Sequence, residues 1–168
     1  MKHVMLFLIA IALLQSVSTS AQEFEVPGNL PETKEECIQT EKEMINAAKW
    51  LEATPIGTNM DKRIKVNAWG MAWLTNSSNV TIEVKASIIK PFEKNPHMMF
   101  VFMAGYARYA LENNYSKDAL QANIAGMKSV INCYNLGGDI KKDKALTKLI
   151  ETGKEGKLEE WMKEAMQN

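Results

Sequence analysis

The amino-acid sequence predicts an all-α fold, a compact bundle of about six helices joined by short loops. Apolar residues recur at helical spacing along most of the chain after residue 30. Proline, glycine and asparagine separate these apolar segments at intervals typical of helix boundaries. A strand-like alternation stands out at Val80, Ile82 and Val84, and one isolated strand would lack a partner. The sequence therefore favours helices packed on helices.

Residues 1–21 have the layout of a cleaved secretory signal peptide. Lys2 precedes an apolar run from Val4 to Leu14, and the small and polar residues STSAQ follow. Because the apolar run is too short to cross a bilayer, we expect a secreted or periplasmic protein with no stable membrane span. Residues 22–30 are predicted to form a linker, and residues 31–168 a single helical domain.

The formal charge of the chain is balanced but unevenly distributed. Removal of residues 1–21 takes away Lys2 and no acid, so the charge changes from 0 to −1. A protein with no basic excess is not expected to bind nucleic acid. Residues 22–53 carry eight acids and three lysines, whereas residues 61–95 carry six basic residues and three acids. The two segments either attract each other within the fold or expose faces of opposite sign.

The first two predicted helices are separated by the segment ATPIGTN, whose proline and glycine oppose a continuous helix. The first helix is predicted to open at Pro31, with acids in its first turns, and to extend to about Leu51. The second is predicted to start at a cap formed by Asn59 or Asp61. Its expected buried face consists of Ile64, Ala68, Met71 and Ala72, widened by Val66, Trp69 and Trp73.

The following segment combines two patterns. Val80–Val84 alternates apolar and polar residues as a strand does, whereas Val84, Ile88 and Ile89 fit a helix. We expect a short extended entry followed by a helix to about Pro91.

The stretch HMMFVFMAGYARYALENN is predicted to form the central, nearly fully buried helix. Asn95 supplies a capping side chain, and Pro96 suits the first helical position. Ten residues without charge follow His97, too few to span a bilayer before Arg108. Small residues on this helix allow close approach to a small-residue stripe on the next one. The two sets are Ala104, Gly105 and Ala107, and Ala119, Ala122 and Gly126.

Three further helices complete the predicted bundle. Ser116 is expected to cap the next helix, which ends at Gly137-Gly138. Asp143 is expected to cap the segment KALTKLIETG, with Gly153 as its end. The last helix is defined by Leu158, Trp161, Met162 and Ala165.

Four pieces within about the last seventy-five residues resemble secreted all-helical proteins of Gram-negative bacteria that have no assigned chemistry. They are KNP, FMAGYARYALENNYSKD, KKDKALTKLI and EGKLEEWMKE. The shared residues are helix caps and core positions. The resemblance therefore implies an exported helical domain and carries over no catalytic residue.

Candidate catalytic and metal-binding residues are few. His97 is the only histidine after residue 21, so we predict no multi-histidine metal site, and we expect this side chain to be partly exposed. No motif that binds a cofactor is found in the sequence. Carboxylates are clustered near both ends of the domain, and we interpret them as solvated helix faces. They are Glu35, Glu36, Glu41 and Glu43, and Glu159 and Glu160.

Cys37 and Cys133 are predicted to be structural residues, since both lie on or beside apolar helix stripes. Export would allow a disulfide between them, worth on the order of 4–5 kcal/mol for so long a loop. The alternative is two separate buried thiols.

These observations predict an exported binding or interaction module of the cell envelope without catalytic residues, whose partner is a protein or peptide held in a helix-lined groove. The alternatives are a small helical hydrolase that uses paired carboxylates, and an envelope inhibitor or chaperone-like protein. Four tryptophans and eleven methionines could line such a groove, although core packing is the default expectation.

Overall fold

The computed structural model describes residues 24–167, which form eight α-helices and one short 3-10 helix. The helices are α1 (Lys34–Gln39), α2 (Glu41–Ala53), α3 (Met60–Asn76), α4 (Ala86–Ile89), α5 (His97–Glu112), α6 (Ala119–Asn135), α7 (Lys144–Lys154) and α8 (Leu158–Gln167). The 3-10 helix, Lys90–Phe92, lies between α4 and α5. Within residues 24–167 no strand forms, and one isolated parallel bridge joins Ile56 to Gly138. The all-α prediction is confirmed, but the helices number eight rather than about six. The predicted signal peptide, residues 1–21, lies outside the described residues.

The first predicted helix is in fact two helices, α1 and α2. The Thr33 hydroxyl accepts from the Glu36 amide at 3.2 Å, and the Glu36 carboxylate accepts from the Thr33 amide at 3.1 Å. This capping box starts α1 at Thr33 rather than at Pro31. At Thr40 the backbone leaves the helical region, with φ −113° and ψ 23°, and the Thr40 hydroxyl donates to the Glu36 carbonyl at 2.7 Å. Thr40 therefore ends α1, and α2 starts at the next residue, Glu41.

Helix α3 begins after Asn59, and its predicted buried face is partly correct: Val66, Trp69 and Trp73 are buried as expected, whereas Ala68 is exposed and Ala72 is partly exposed. The residues it buries are Arg63, Val66, Trp69, Gly70 and Trp73. Ile64 and Met71, expected to be buried, are 61% and 43% exposed. Both sides of this helix are apolar, and burial of two tryptophans removes more apolar area from water than burial of Ile64 and Met71.

Arg63 is fully buried between α3 and the end of α2. Its guanidinium donates to the Thr54 carbonyl at 2.6 Å and lies 5.5 Å from the centre of the Trp50 ring. Burial lowers the pKa of Arg63. The side chain thus satisfies a carbonyl at the end of α2, where backbone acceptors lack a helical partner.

The extended segment before α4 has side chains as partners in place of a second strand. The Asn123 amide donates to the Glu83 carbonyl at 2.9 Å, and the Glu83 amide donates to the Tyr106 hydroxyl at 3.4 Å. The predicted extended entry followed by a helix is therefore confirmed, with the final turn, Lys90–Phe92, in the tighter 3-10 form.

Helix α5 is the centre of the bundle and packs against α2, α3 and α6. Nine of its sixteen residues are buried. Gly105 and Gly126 lie where α5 and α6 cross, so close that a Cβ atom on Gly126 would be 2.7 Å from the Phe102 carbonyl oxygen. The predicted small-residue contact between these helices is confirmed.

A polar cluster also ties the central helices together. The Glu52 carboxylate of α2 accepts from the Ser129 hydroxyl at 2.9 Å and the Asn132 amide at 2.6 Å, both on α6. Arg108 of α5 pairs with the same carboxylate at 2.8 Å. Because these side chains are partly shielded from water, the charged hydrogen bonds fix the relative register of three helices.

Of the four predicted side-chain caps, the one at α7 forms and those at α3, α5 and α6 do not; Asn59 occupies the cap position of α3, but its side chain makes no capping hydrogen bond. The Asp143 carboxylate caps α7 as expected, accepting from the Ala145 and Leu146 amides at 2.8 and 3.0 Å. Asp118 rather than Ser116 caps α6, since its carboxylate accepts from the Gln121 amide at 3.0 Å. Pro96 occupies the cap position of α5, and the Asn95 side chain makes its hydrogen bonds elsewhere.

The final boundaries differ by small amounts. Helix α6 ends at Asn135, before Gly137-Gly138 as predicted, whereas α7 passes Gly153 and ends at Lys154. Phe24, in the predicted linker 22–30, is buried in the core.

Among residues 24–167, none of the helices has both the length and the apolar character that crossing a membrane requires.

Candidate functional site

Cys37 and Cys133 are free, buried thiols in the structure, and each contacts a different carbonyl group. Cys37 donates to Trp73 at 3.5 Å, and Cys133 donates to Thr54 at 3.7 Å. The structure thus contains two separate buried thiols, the alternative that the sequence left open beside a disulfide. Burial raises the pKa of both thiols, which favours the neutral form over the nucleophilic thiolate.

His97 and the two carboxylate clusters do not converge. His97 is exposed in the first turn of α5. Helix α1, with Glu35 and Glu36, packs on α2 and α3, whereas α8, with Glu159 and Glu160, packs on α4, α6 and α7. Glu41 and Glu43 are partly exposed on α2, away from α8. The pKa of Glu36 is lowered by hydrogen bonds from the Glu32 and Thr33 amides, the opposite of what a general acid needs.

The tryptophans mostly belong to the core. Trp50, Trp69 and Trp73 are buried, and Trp161 is partly buried against the same core. Many of the methionines pack there as well, with Met44, Met98, Met127 and Met162 fully buried. These buried residues stabilise the bundle. They therefore do not line the groove that the sequence analysis suggested for them.

A groove of about 930 Å³ opens between the 3-10 helix and the turn after it, the end of α6 and the first turns of α7. Its lining combines five lysines, three acids and a few less polar residues. The lysines are Lys90, Lys94, Lys142, Lys144 and Lys148; the acids are Glu93, Asp143 and Glu151; the others are Tyr134, Ala145 and Thr147. We call this feature the lysine groove. Its volume falls in the range of ligand-binding clefts.

The lysine groove carries an excess of unpaired positive charge. Lys94 pairs with Asp143 at 3.4 Å, and the other four groove lysines form no ion pair with any described residue. The Asp143 charge is already engaged, because hydrogen bonds from the Leu146 and Ala145 amides, together with Lys94, lower the pKa of its carboxyl group. The free ammonium groups therefore determine the electrostatic character of the groove.

One edge of the lysine groove is anchored by Asn95. The Asn95 amide donates to the Lys141 carbonyl at 2.9 Å, and the Lys141 amide donates back to the Asn95 side-chain oxygen at 2.8 Å. This pair of bonds fixes the backbone next to Lys142 against the segment that carries Lys90 and Lys94. Because Asn95 is buried, the bonds are shielded from competition with water.

The same edge is fixed a second time at Gly138. The Asp139 amide donates to the Ile56 carbonyl at 2.8 Å. Gly138 has φ +105°, and a Cβ atom there would collide with the Ile56 carbonyl oxygen. Only glycine fits this position. The contact with Ile56 therefore fixes the backbone of the loop that precedes α7 and forms this edge of the groove.

The lining of the groove supplies both charged groups and apolar contact surface. The Thr147 hydroxyl donates to the Asp143 carbonyl at 2.8 Å and is thus engaged within its own helix. Lysine stems, Tyr134 and Ala145 supply apolar contact, while the ammonium groups attract carboxylates or other anions. Across residues 24–167 the acids, histidine and cysteines form no group of three suited to holding a metal ion.

No protein-family model matches the chain, and no curated protein or solved structure is significantly similar to it. The resemblance to secreted helical proteins of Gram-negative bacteria therefore stays a prediction. The lysine groove is identified from the geometry of this structure and not from a related protein.

Sequence reasoning missed the lysine groove because its walls are distant in sequence. The basic excess of residues 61–95 includes Lys90 and Lys94, which form one wall. The other wall comes from KKDKALTK, where Lys144 and Lys148 share one face of a helix at a spacing of four residues. A charge pattern shows a basic helix face, but only the fold shows that a second basic segment lies opposite.

Replacement of Asn95 by alanine is expected to lower the free energy of unfolding by about 2 kcal/mol, because two buried hydrogen bonds are lost. Urea denaturation measures this change. Asn135→Ala, at an exposed position near the end of α6, serves as the control and should change stability by less than about 0.5 kcal/mol. Equal effects of the two substitutions would contradict the anchoring role of Asn95.

Proposed function

We propose that this protein is an exported binding module without catalytic activity of its own, and that its lysine groove holds an acidic segment of a partner polypeptide. The observation that carries the proposal is the group of four unpaired lysines lining one groove of about 930 Å³. Among the described residues, two of the lining acids, Glu93 and Glu151, are unpaired as well, so four unpaired lysines and two unpaired acids leave a net charge of +2 (4 − 2). A concave surface with net positive charge attracts and steers a ligand of the opposite sign.

A polypeptide suits this groove better than a nucleic acid. The acids Glu93 and Glu151 lie among the lysines and would repel a continuous phosphate backbone. A peptide can place its carboxylates beside the lysines and its apolar side chains on Tyr134 and Ala145. The formal charge of the whole chain, which is 0, also supplies no long-range attraction for a polyanion.

Export is the part of the proposal that rests on residues 1–21. An apolar run behind Lys2 and a small polar junction support it. The mass of the protein recovered from cells that express the full gene would show whether these residues are removed.

The binding proposal is tested with a fluorescein-labelled peptide of alternating glutamate and leucine. We expect the double variant K144E/K148E to bind this peptide about tenfold or more weakly than the unchanged protein, as measured by fluorescence anisotropy. A variant with the same change in net charge, K128E/K154E, is the matched control because both lysines are exposed and lie outside the groove. Binding should also weaken from about 10 mM to about 1 M salt, as the screening length falls from about 30 Å to about 3 Å.

Two outcomes would contradict the proposal. If both double variants weaken binding equally, the peptide responds to net charge and not to the groove. If a peptide in which lysine replaces every glutamate binds as well as the acidic one, charge complementarity plays no part.

A further inference from the structure

The chain carries a second charged surface, opposite in sign to the lysine groove. It spans residues 30–38, and we call it the acidic ridge. Its three exposed acids, Glu32, Glu35 and Glu36, outnumber the one exposed lysine among them, Lys34. Two apolar side chains flank these charges, with Leu30 53% exposed and Ile38 49% exposed. The ridge therefore combines carboxylates with uncovered apolar groups, the two features that the lysine groove is suited to hold.

The two surfaces do not meet within one molecule. The ridge lies on α1, which packs on α2 and α3, whereas the groove is built from the 3-10 helix, α7 and the end of α6. Among the described residues, no ion pair joins segment 22–53 to segment 61–95. Of the two arrangements that the sequence allowed, the structure has the one with exposed faces of opposite sign.

We infer that the acidic segment held by the lysine groove is the acidic ridge of a second copy of this chain. The inference rests on the proposed function of the groove and names its partner. Leu30 and Ile38 would contact the Tyr134 and Ala145 side of the groove, and Glu32 and Glu35 would lie beside its lysines. The contact joins two different surfaces, so copies associate head to tail rather than about a twofold axis.

Three variants test the inference. K144Q/K148Q removes charge from the groove, and E32Q/E35Q removes charge from the ridge. Glu36 is left unchanged because its carboxylate caps α1. The control, D61N/E160Q, removes two exposed acids that lie outside both surfaces and form no ion pair with any described residue within 4.0 Å.

Light scattering measures the mass of the purified chain at about 10 mM and about 1 M salt, where screening lengths differ about tenfold. We expect the unchanged protein and the control to exceed the monomer mass at low salt and to return to it at high salt. Each of the two surface variants should remain monomeric alone. An equimolar mixture of them should form a dimer and nothing larger, because one variant keeps the ridge and the other keeps the groove.

A monomer mass for the unchanged protein at low salt would overturn the inference. So would association that survives in both surface variants, or a mixture that stays monomeric. The glutamate–leucine peptide separates this failure from failure of the proposed function. If the peptide binds the groove while the chain stays monomeric, the groove serves another acidic partner; if the peptide fails to bind, both proposals fall.

Discussion

Replacing Gly126 with alanine is expected to lower the free energy of unfolding by about 1–3 kcal/mol. In an unconstrained helix this change would raise stability by about 1 kcal/mol, because alanine is the better helix former. At the crossing of α5 and α6, however, the added Cβ atom would lie 2.7 Å from the Phe102 carbonyl oxygen and 2.9 Å from its ring. A backbone carbonyl cannot move aside as a flexible side chain can, so the two helices must separate.

Chemical denaturation of Gly126→Ala measures the change, and Lys128→Ala is the control. Lys128 lies on the exposed face of α6, so its replacement should change stability by less than about 0.5 kcal/mol. A Gly126→Ala variant more stable than the parent would contradict the close contact between α5 and α6.

Replacing Trp73 with alanine is expected to cost about 3–5 kcal/mol of stability. The ring is fully buried, and its indole nitrogen donates to the Cys37 carbonyl at 2.9 Å. The Cys37 thiol donates in turn to the Trp73 carbonyl at 3.5 Å. The Trp73 side chain therefore fills the core beside α3, and its hydrogen bond to Cys37 fixes α1 against α3.

Two measurements separate these roles. Trp73→Phe keeps an aromatic ring but removes the bond to Cys37, so it should lose less stability than the alanine variant. In Trp73→Ala the reaction of a thiol reagent with Cys37 should accelerate more than its reaction with Cys133, which lies on α6 and contacts Thr54. Equal acceleration at both cysteines would show general loosening of the core and contradict a local role for Trp73.

The parts of the fold that could be predicted are those in which local pattern and packing agree. Helix α5 has one uninterrupted apolar stretch with small residues at one position per turn, so its burial and its contact with α6 follow from the sequence. Asp143 at the start of α7 is a cap of the same kind, since one carboxylate oxygen accepts from the Ala145 and Leu146 amides while the other pairs with Lys94.

Predictions failed where a residue had two possible partners. Asn95 is a good cap by residue type, yet its side chain binds the backbone of Lys141, which is 46 residues away. Helix α3 is apolar on both sides, and the choice of face depends on how much area its two tryptophans bury. The break at Thr40 has no proline or glycine to mark it in the sequence. The partner of Asn95 and the buried face of α3 are decided by contacts that the local sequence does not contain.

The lysine groove could not be predicted from the sequence either, because it too depends on contacts between residues that are far apart in the chain. Lysines on a helix face are ordinarily solvated, and their spacing alone does not distinguish a binding surface. The groove exists because Asn95 holds the loop before α7 beside the segment that follows the 3-10 helix, and Gly138 holds the same loop against Ile56. Two basic segments thereby face each other across one cavity.

The proposed binding of an acidic polypeptide segment in the lysine groove is tested most directly by NMR titration of the isotope-labelled protein with the glutamate–leucine peptide. We expect backbone amide shifts to change mainly at residues 90–94 and 141–151, and we expect the changes to disappear in K144E/K148E. Shift changes confined to other surfaces, or the same changes in the double variant, would contradict it.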